Sequence, residues 1–560
     1  MKKSILLFAF LTIYTASLFS IPRGKQDIIP AGDKIYDALT ALTLEEGRND
    51  FYESSPITIA ELELLLNKID YEALSPAGKK YYEYIEDYIN YNDFSWGSDI
   101  MNLSIAPVFS LEAYYKTNEE IDWVYNRFER QPLLKTPVKF SIGDYATITT
   151  DLQFSQNKGK MNHHFNPGNI PYLPQDMDIN WPDNSYFSTG YLFTPKTGVN
   201  LQVGKGSHDI GRSLTGSLIE SRYMTGASYA SLSFFSPKIR FNTNVKQFNV
   251  NRYYYTHNFD SLFFNKIQFS AQESLFVYAP LELRYLDPFT IFHGMAPWKE
   301  YGNHESNTCC YLTIKLSYVP FNNWRIYGIF VQDQIATAYE RKNWPDDVTP
   351  NGIGFQGGIE NYIPLGPGYL HNWLEFTYAD PFLYIKESPN WSLLRTYEEN
   401  IGDKAVFYEW IGSPFGPDTI SAQLNTSFEL PQKLNVTLSY LFSARGEYSD
   451  SKLFTDKLNW GGSNIEEENI DYNYWPFPHQ SDDAEKQAEA KRKQNLIAPS
   501  GTPEYINRVS LQVKYYFTKS ISVKTQQSFV YIINKNNELN KNACGYEAVI
   551  STSIDLPALF

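Results

Sequence analysis

The stretch "NRVSLQVKYYFTKSISVKTQQSFVYI", Asn507 to Ile532, decides how this chain folds. On its first arm Val509, Leu511, Val513, Tyr515 and Phe517 alternate with Ser510, Gln512 and Lys514. After a short polar break, Ile521, Val523, Phe529 and Tyr531 oppose Ser522, Lys524, Gln526 and Ser528. Side chains alternate across a strand with period two, so the pattern predicts two strands, each with one apolar and one polar face. A soluble sheet would turn the apolar face to a core. A membrane barrel would turn it to lipid and the polar face to a lumen.

The same alternation recurs upstream. Ile239, Phe241, Thr243 and Val245 alternate with Arg240, Asn242, Asn244 and Lys246. Leu374, Phe376 and Tyr378 alternate with Glu375 and Thr377, and Val436, Leu438 and Tyr440 with Thr437 and Ser439. From about Trp96 onward the chain reads as strands separated by polar loops, the longest being Gln156 to Tyr186, Trp344 to Gly354 and Asn459 to Pro503. The charged run "SDDAEKQAEAKRKQ" in the last suits either a short surface helix or a solvated loop. At roughly 10 residues per membrane strand, this region holds about 16–18 antiparallel strands. Two or three β-sandwiches would instead show linkers and continuous apolar strands, and neither is visible. The chain closes on "GYEAVISTSIDLPALF", alternating up to a terminal Phe560. Ring closure is the physical solution to unpaired edges in lipid.

Composition agrees. Of 560 residues, 16% are aromatic, with 43 Tyr and 37 Phe, which favours strands and interfacial belts. A mean hydropathy of −0.40 is too polar for a bundle of membrane helices. One continuous apolar run exists, Ile5 to Leu18, preceded by Lys2 and Lys3 and followed by small residues near Ser20. It predicts a secretory signal over residues 1–20, since it is short for a membrane span. The formal charge of −15 argues against nucleic acid as a partner. Three cysteines predict no disulfide framework.

Residues 27–95 read differently. "GDKIYDALTALTLEEG" places Ile35, Leu39 and Leu42 on one helical face, with Asp33 as N-cap and Gly47 as stop. "PITIAELELLLNKI" opens on a Thr58–Glu61 capping box, and "SPAGKKYYEYIEDYI" on Ser75 with Pro76 in the first turn. About 65 residues of short helices are marginal alone, so they must pack on something larger.

The most distinctive stretch is "VNLQVGKGSHDIGRSLTGSLIESRY", Val199 to Tyr223. It is neither a dinucleotide fingerprint nor a phosphate loop. Its glycines permit a tight turn or bulge. Together with a second block, "SLFVYAPLELRYLDPF" (Ser274 to Phe289), and the helical opening, it resembles the capsule-assembly Wzi family of outer-membrane barrels. The resemblance implies an 18-stranded barrel (96–560) with a periplasmic helical bundle (27–95), acting as a surface lectin that holds polysaccharide. Partners would be that polysaccharide, outer-membrane lipid and the barrel-assembly machinery.

Candidate ligand contacts are Lys205, Arg212, Glu220, Arg222, Arg240, Glu282 and Arg284, in or near these blocks. Charges of both signs inside a barrel also pair with one another and fill it. Sugar binding needs exposed aromatics beside carboxylates, because ring faces pack on C–H groups while acids take hydroxyl protons. Trp344, Trp391 and Trp475 fit, the first two near Asp346, Asp347 and Glu387. His163 and His164 are neighbours on an extended chain and point apart, so no metal is expected. No hydrolytic spacing stands out, so we expect no enzyme and no cofactor. The alternatives to a polysaccharide-binding barrel are a small-solute channel and a surface adhesin.

Overall fold

The computed structural model describes residues 23–49, 54–90, 93–98, 100–121, 130–156, 168–171, 177–180, 184–224, 226–292, 308–399, 405–449 and 475–559. The expected signal, His163, His164 and much of the 156–186 and 459–503 loops lie outside them.

Eighteen antiparallel strands close into one ring. In chain order they are β1 (Val108–Lys116), β2 (Leu134–Ile142), β3 (Ala146–Gln156), β4 (Ser185–Thr194), β5 (Thr197–Gly206) and β6 (Ala227–Phe235). Next come β7 (Ile239–Asn249), β8 (Arg252–Phe263), β9 (Ile267–Tyr278), β10 (Thr308–Tyr318), β11 (Trp324–Gln334) and β12 (Gly352–Leu365). The last six are β13 (Gly368–Ala379), β14 (Thr419–Leu430), β15 (Leu434–Arg445), β16 (Glu504–Tyr516), β17 (Ile521–Ile533) and β18 (Ala543–Asp555). β18 pairs with β1 from Glu547↔Lys116 to Asp555↔Val108, which completes the ring. Met101–Ile105 extends β1 along β2, broken only at Ala106–Pro107. The strand Phe94–Gly97 folds back on that extension and carries the chain into the wall.

The quoted stretch forms β16 and β17, paired from Tyr505↔Ile533 to Tyr516↔Ser522. Leu511, Val509 and Phe529 are exposed on the outer wall, whereas Ser510, Gln526 and Ser528 are buried inside. The outer face continues around the ring through Ile314, Leu316, Phe355, Phe376, Leu438 and Ile550, all exposed. An exposed apolar band on a closed barrel is the lipid-facing surface of a transmembrane barrel.

Short turns and long loops alternate from end to end. At one end β12 and β13 are joined by Gly366–Pro367, where Gly366 takes φ 61°, a left-handed conformation suited to glycine. Long connections dominate the opposite end, although β7 and β8 meet there in the tight turn at Val250 and Asn251.

Helices α1 (Lys34–Glu45), α2 (Ile59–Leu66) and α3 (Pro76–Ile89) sit at the short-turn end. Their caps match the sequence reading: Asp33 accepts from Ile35 N–H, Thr58 and Glu61 form a capping box, and Ser75 accepts from Gly78 N–H. The apolar faces of all three share one core with Phe235, Leu262, Val319, Tyr362 and Tyr369 of the barrel. This is the larger partner that such short helices require.

Candidate functional site

Inward parity places polar side chains in the lumen, and the connection from β5 to β6 folds down among them. Asp209–Ile210 of that connection pairs with Ser54–Ser55 of the helical segment. Arg212 follows. Its Nη1 and Nη2 donate to the two carboxylate oxygens of Glu360 on β12 at 2.9 and 3.0 Å, and Nη2 also reaches Asp37 of α1 at 2.9 Å. The guanidinium stands 4.6 Å over the Trp373 ring. Arg325 of β11 joins the same carboxylate at 2.6 Å, and His371 Nε2 lies 3.0 Å from it. His371 also faces Glu429, which accepts from the Tyr81 hydroxyl of α3 at 3.2 Å.

Two further contacts fix the inner loop. The Glu375 carboxylate accepts from the backbone N–H groups of Leu214 and Thr215, both at 2.9 Å, and from the Tyr327 hydroxyl. Glu220 pairs with Lys246, both buried. Arg240 does the same for the helices, donating to Glu61 at 3.0 Å and to the Pro56 carbonyl at 3.2 Å. Buried charges are tolerated only when so paired.

Above the polar layer an apolar core fills one side of the long-loop end. Leu218 and Ile219 of the inner loop pack with Phe382, Tyr384, Trp391, Leu393, Trp410, Trp475 and Phe477. The hydroxyls of Tyr311 and Tyr384 both donate to the Leu218 carbonyl, at 2.5 and 2.7 Å. One side of the lumen is thus closed from both ends. The facing wall differs: Thr437, Ser439, Arg508, Gln512, Lys514 and Lys524 on β15–β17 keep partial solvent access. Lys514 and Lys524 stand directly opposite each other in register.

The structure sorts the sequence candidates. Arg212, Glu220 and Arg240 are lumen ion pairs. Arg222 is exposed, its guanidinium 5.5 Å from the Tyr223 ring. Lys205 shares the parity of Leu201 and Val203, both exposed on the outer wall, so it does not face the lumen. Glu282 and Arg284 pair with each other at 2.8 Å in the connection after β9. Trp391 and Trp475 are a correction to the expectation of exposed aromatics. Both are buried, with Trp475 Nε1 donating to the Lys386 carbonyl at 2.6 Å, because these loops fold inward onto their own core. Trp344 is 57% exposed, edge-on to Tyr339 at a centroid distance of 6.1 Å. It caps helix α4 (Ala338–Asn343), and α5 (Ala484–Gln494) docks on the segment that follows: Gln487 donates to the Asp346 carbonyl, and Gln494 to the carbonyls of Asp347 and Thr349. The sequence reading missed Glu360, Arg325, His371 and Glu375. Their only signal was a charged residue at inward parity.

Asp209 provides a pH test. Burial pushes its carboxyl up to about 6, against the pull of Arg222 and Arg212. A folded-state value above the unfolded one means that the folded protein takes the proton preferentially between about pH 4 and 6. The group therefore contributes more stability at pH 4 than at pH 7. Denaturant unfolding of wild type and Asp209→Asn at both pH values should show wild type gaining on the variant upon acidification. Parallel behaviour would refute this.

No family model matches the chain, and no curated protein matches it by sequence. Among solved structures it is similar in fold to Wzi of Escherichia coli, an outer membrane protein involved in group 1 capsule assembly and a carbohydrate-binding β-barrel. The TM-score is 0.55 at 12% identity, over 94% of this chain and 99% of that one. Lower similarity reaches OprD of Pseudomonas aeruginosa, with TM-score 0.37, 8% identity, and 81% and 95% of the two chains. The outer membrane channel DcaP of Acinetobacter baumannii follows, with TM-score 0.35, 8% identity, and 82% and 98%.

Proposed function

We propose that this barrel resides in a bacterial outer membrane and binds or organises surface polysaccharide at its long-loop face, without chemical turnover. On this reading residues 1–20 direct export, barrel-assembly machinery inserts the ring, and the helical segment 27–95 faces the periplasm. The observation that carries the reading is the obstructed lumen: α1–α3 sit across the short-turn mouth, and the inner loop with its apolar core fills one side of the long-loop mouth. A molecule so obstructed has its outer loops as its main binding surface. On that surface Tyr339 and Trp344 offer exposed ring faces beside Asp346 and Asp347, the combination that sugar C–H groups and hydroxyls require. The fold-level likeness to a carbohydrate-binding barrel supports the same reading.

The test is a glycan-array and capsular-polysaccharide binding assay on folded, detergent-purified protein. Saturable binding is expected. Trp344→Ala with Tyr339→Ala should weaken it about 10-fold, since each well-placed aromatic contact is worth on the order of 0.5–1.5 kcal/mol. Absence of binding by a barrel shown to be folded by heat-modifiable gel mobility would sink the proposal.

A second reading, a narrow path for a small anionic solute, draws on the partly solvated β15–β17 wall with its opposed Lys514 and Lys524. Planar-bilayer recording separates the two. Steady anion-selective conductance favours a path, and a silent membrane favours a plugged barrel.

A further inference from the structure

One part of the outer wall breaks the pattern of the rest. On β8 and β9 the residues that alternate with the buried lumen positions Thr256, Asn258, Gln272 and Ser274 face outward. They include Tyr255, His257, Glu273, Leu275 and Val277. Large apolar residues facing outward elsewhere, such as Ile314, Leu316, Phe355 and Phe376, are exposed, yet Tyr255, Leu275 and Val277 are fully covered. The cover is the connection that leaves β9. Ala279, Tyr285 and Phe292 join Tyr255, Leu275 and Val277 in one apolar cluster on the outside of the barrel. The Phe292 ring stacks on His257 at 4.3 Å with an interplanar angle of 19°. Arg284 donates to the Tyr285 hydroxyl at 2.5 Å and holds Glu282, so the charged pair is tied down within the segment.

Among the described residues nothing covers the other face of this segment, where Asp287 is exposed as well. Leu281, Leu283, Leu286, Phe289 and Ile291 point away from the wall, with Leu283 79% and Phe289 86% exposed. Depth decides what they meet. His257 lies roughly midway between the Val250 turn at one end and the Phe264 turn at the other. At about 3.3 Å per residue on a tilted strand, it stands about 15 Å from either rim. A lipid-facing band about 25 Å tall therefore includes it. His257 and Glu273 are directly opposite each other on adjacent strands at that depth. Ionisable groups facing hydrocarbon are costly, and a cover over them removes that contact.

We infer that residues 279–292 form a flap that lies against the outer wall and docks into the long-loop-side leaflet of the surrounding bilayer through Leu281, Leu283, Leu286, Phe289 and Ile291, leaving the exposed Asp287 to the headgroup layer. The occupant of its outer face is lipid acyl chain. The flap continues the apolar band of the neighbouring strands, where Ile314 and Leu316 of β10 and Phe259 of β8 are exposed at the same outward parity. It also screens His257 and Glu273 from that lipid. The inference rests on the barrel's orientation toward lipid and is independent of what the long loops bind.

Photo-crosslinking tests it on the full chain. Benzoylphenylalanine is introduced singly in place of Leu283 and Phe289. Leu511, on the lipid-facing wall, and Tyr339, on the loop surface, serve as the two reference positions. Each protein is folded into phosphatidylcholine vesicles, checked by heat-modifiable mobility, irradiated and weighed by mass spectrometry. Phospholipid adducts at 283 and 289 at the yield seen at 511, and several-fold above 339, are expected. Adduct yields no higher than at 339 would overturn the proposal. So would a band at twice the chain mass, which would assign the flap to an interface between two copies.

Discussion

Glu360→Ala is expected to destabilise the folded barrel by about 3–5 kcal/mol, the range for removing one partner from a buried ionic network. The carboxylate is fully buried, accepts from both terminal nitrogens of Arg212, forms an ion pair with Arg325 and is approached by His371. Without it, guanidinium groups of the inner loop and of β11 lose their shared counter-charge in a site with little water. Because Arg212 also holds Asp37 of α1, the loss should loosen the seating of the helices as well. Glu360→Gln keeps the shape and some acceptor capacity, so a smaller loss is expected. Guanidinium unfolding in detergent, followed by tryptophan fluorescence, measures both. A Glu360→Ala midpoint equal to wild type would mean that the network is solvated and the plug only loosely held.

Leu511→Arg should cost about 2–4 kcal/mol in a bilayer, whereas Gln512→Arg, its neighbour in sequence, should cost less than about 1 kcal/mol. The residues are adjacent on β16 but lie on opposite sides of the wall: Leu511 faces out, and Gln512 lies among the polar groups of the partly solvated lumen. Reversible unfolding from lipid vesicles measures the difference. Equal costs would contradict the assignment of lipid to the outer face. The contrast should shrink in detergent, where water and headgroups reach the charge more easily.

The barrel was legible because lipid on one side and polar lumen on the other impose a period-two pattern that survives in a single sequence. Asn507–Ile532 shows it within two strands. Asp33, Thr58 and Ser75 were legible for a similar reason, since a helix cap is satisfied by residues two or three positions away. The lumen network was not. Arg212 meets Glu360 across 148 residues, and only the stagger of the ring brings the two together. Trp391 and Trp475 were read as surface aromatics because a polar loop that folds back on itself looks in sequence like one that stays in water. Lys205 was readable in principle. It follows Leu201 and Val203 at even spacing, but the surrounding glycines suggested that the strand had already ended.

The interlocking of helices, inner loop and wall also constrains the order in which the molecule can be made. Ser54–Ser55 is laddered to Asp209–Ile210, and Asp37 is clasped by Arg212. The helices are synthesised before every ring strand, whereas β18, which meets β1, is synthesised last. Filling a finished ring would require threading three packed helices through a closed mouth. The simpler history has the early strands gather around the helical segment and the β18–β1 seam zip shut as a late event, joining residues more than 430 positions apart such as Lys116 and Glu547. Late pairing of such distant segments is slow in proportion to the loop that must close. The lifetime of the unsealed barrel therefore sets how long its raw edges stay open to mispairing.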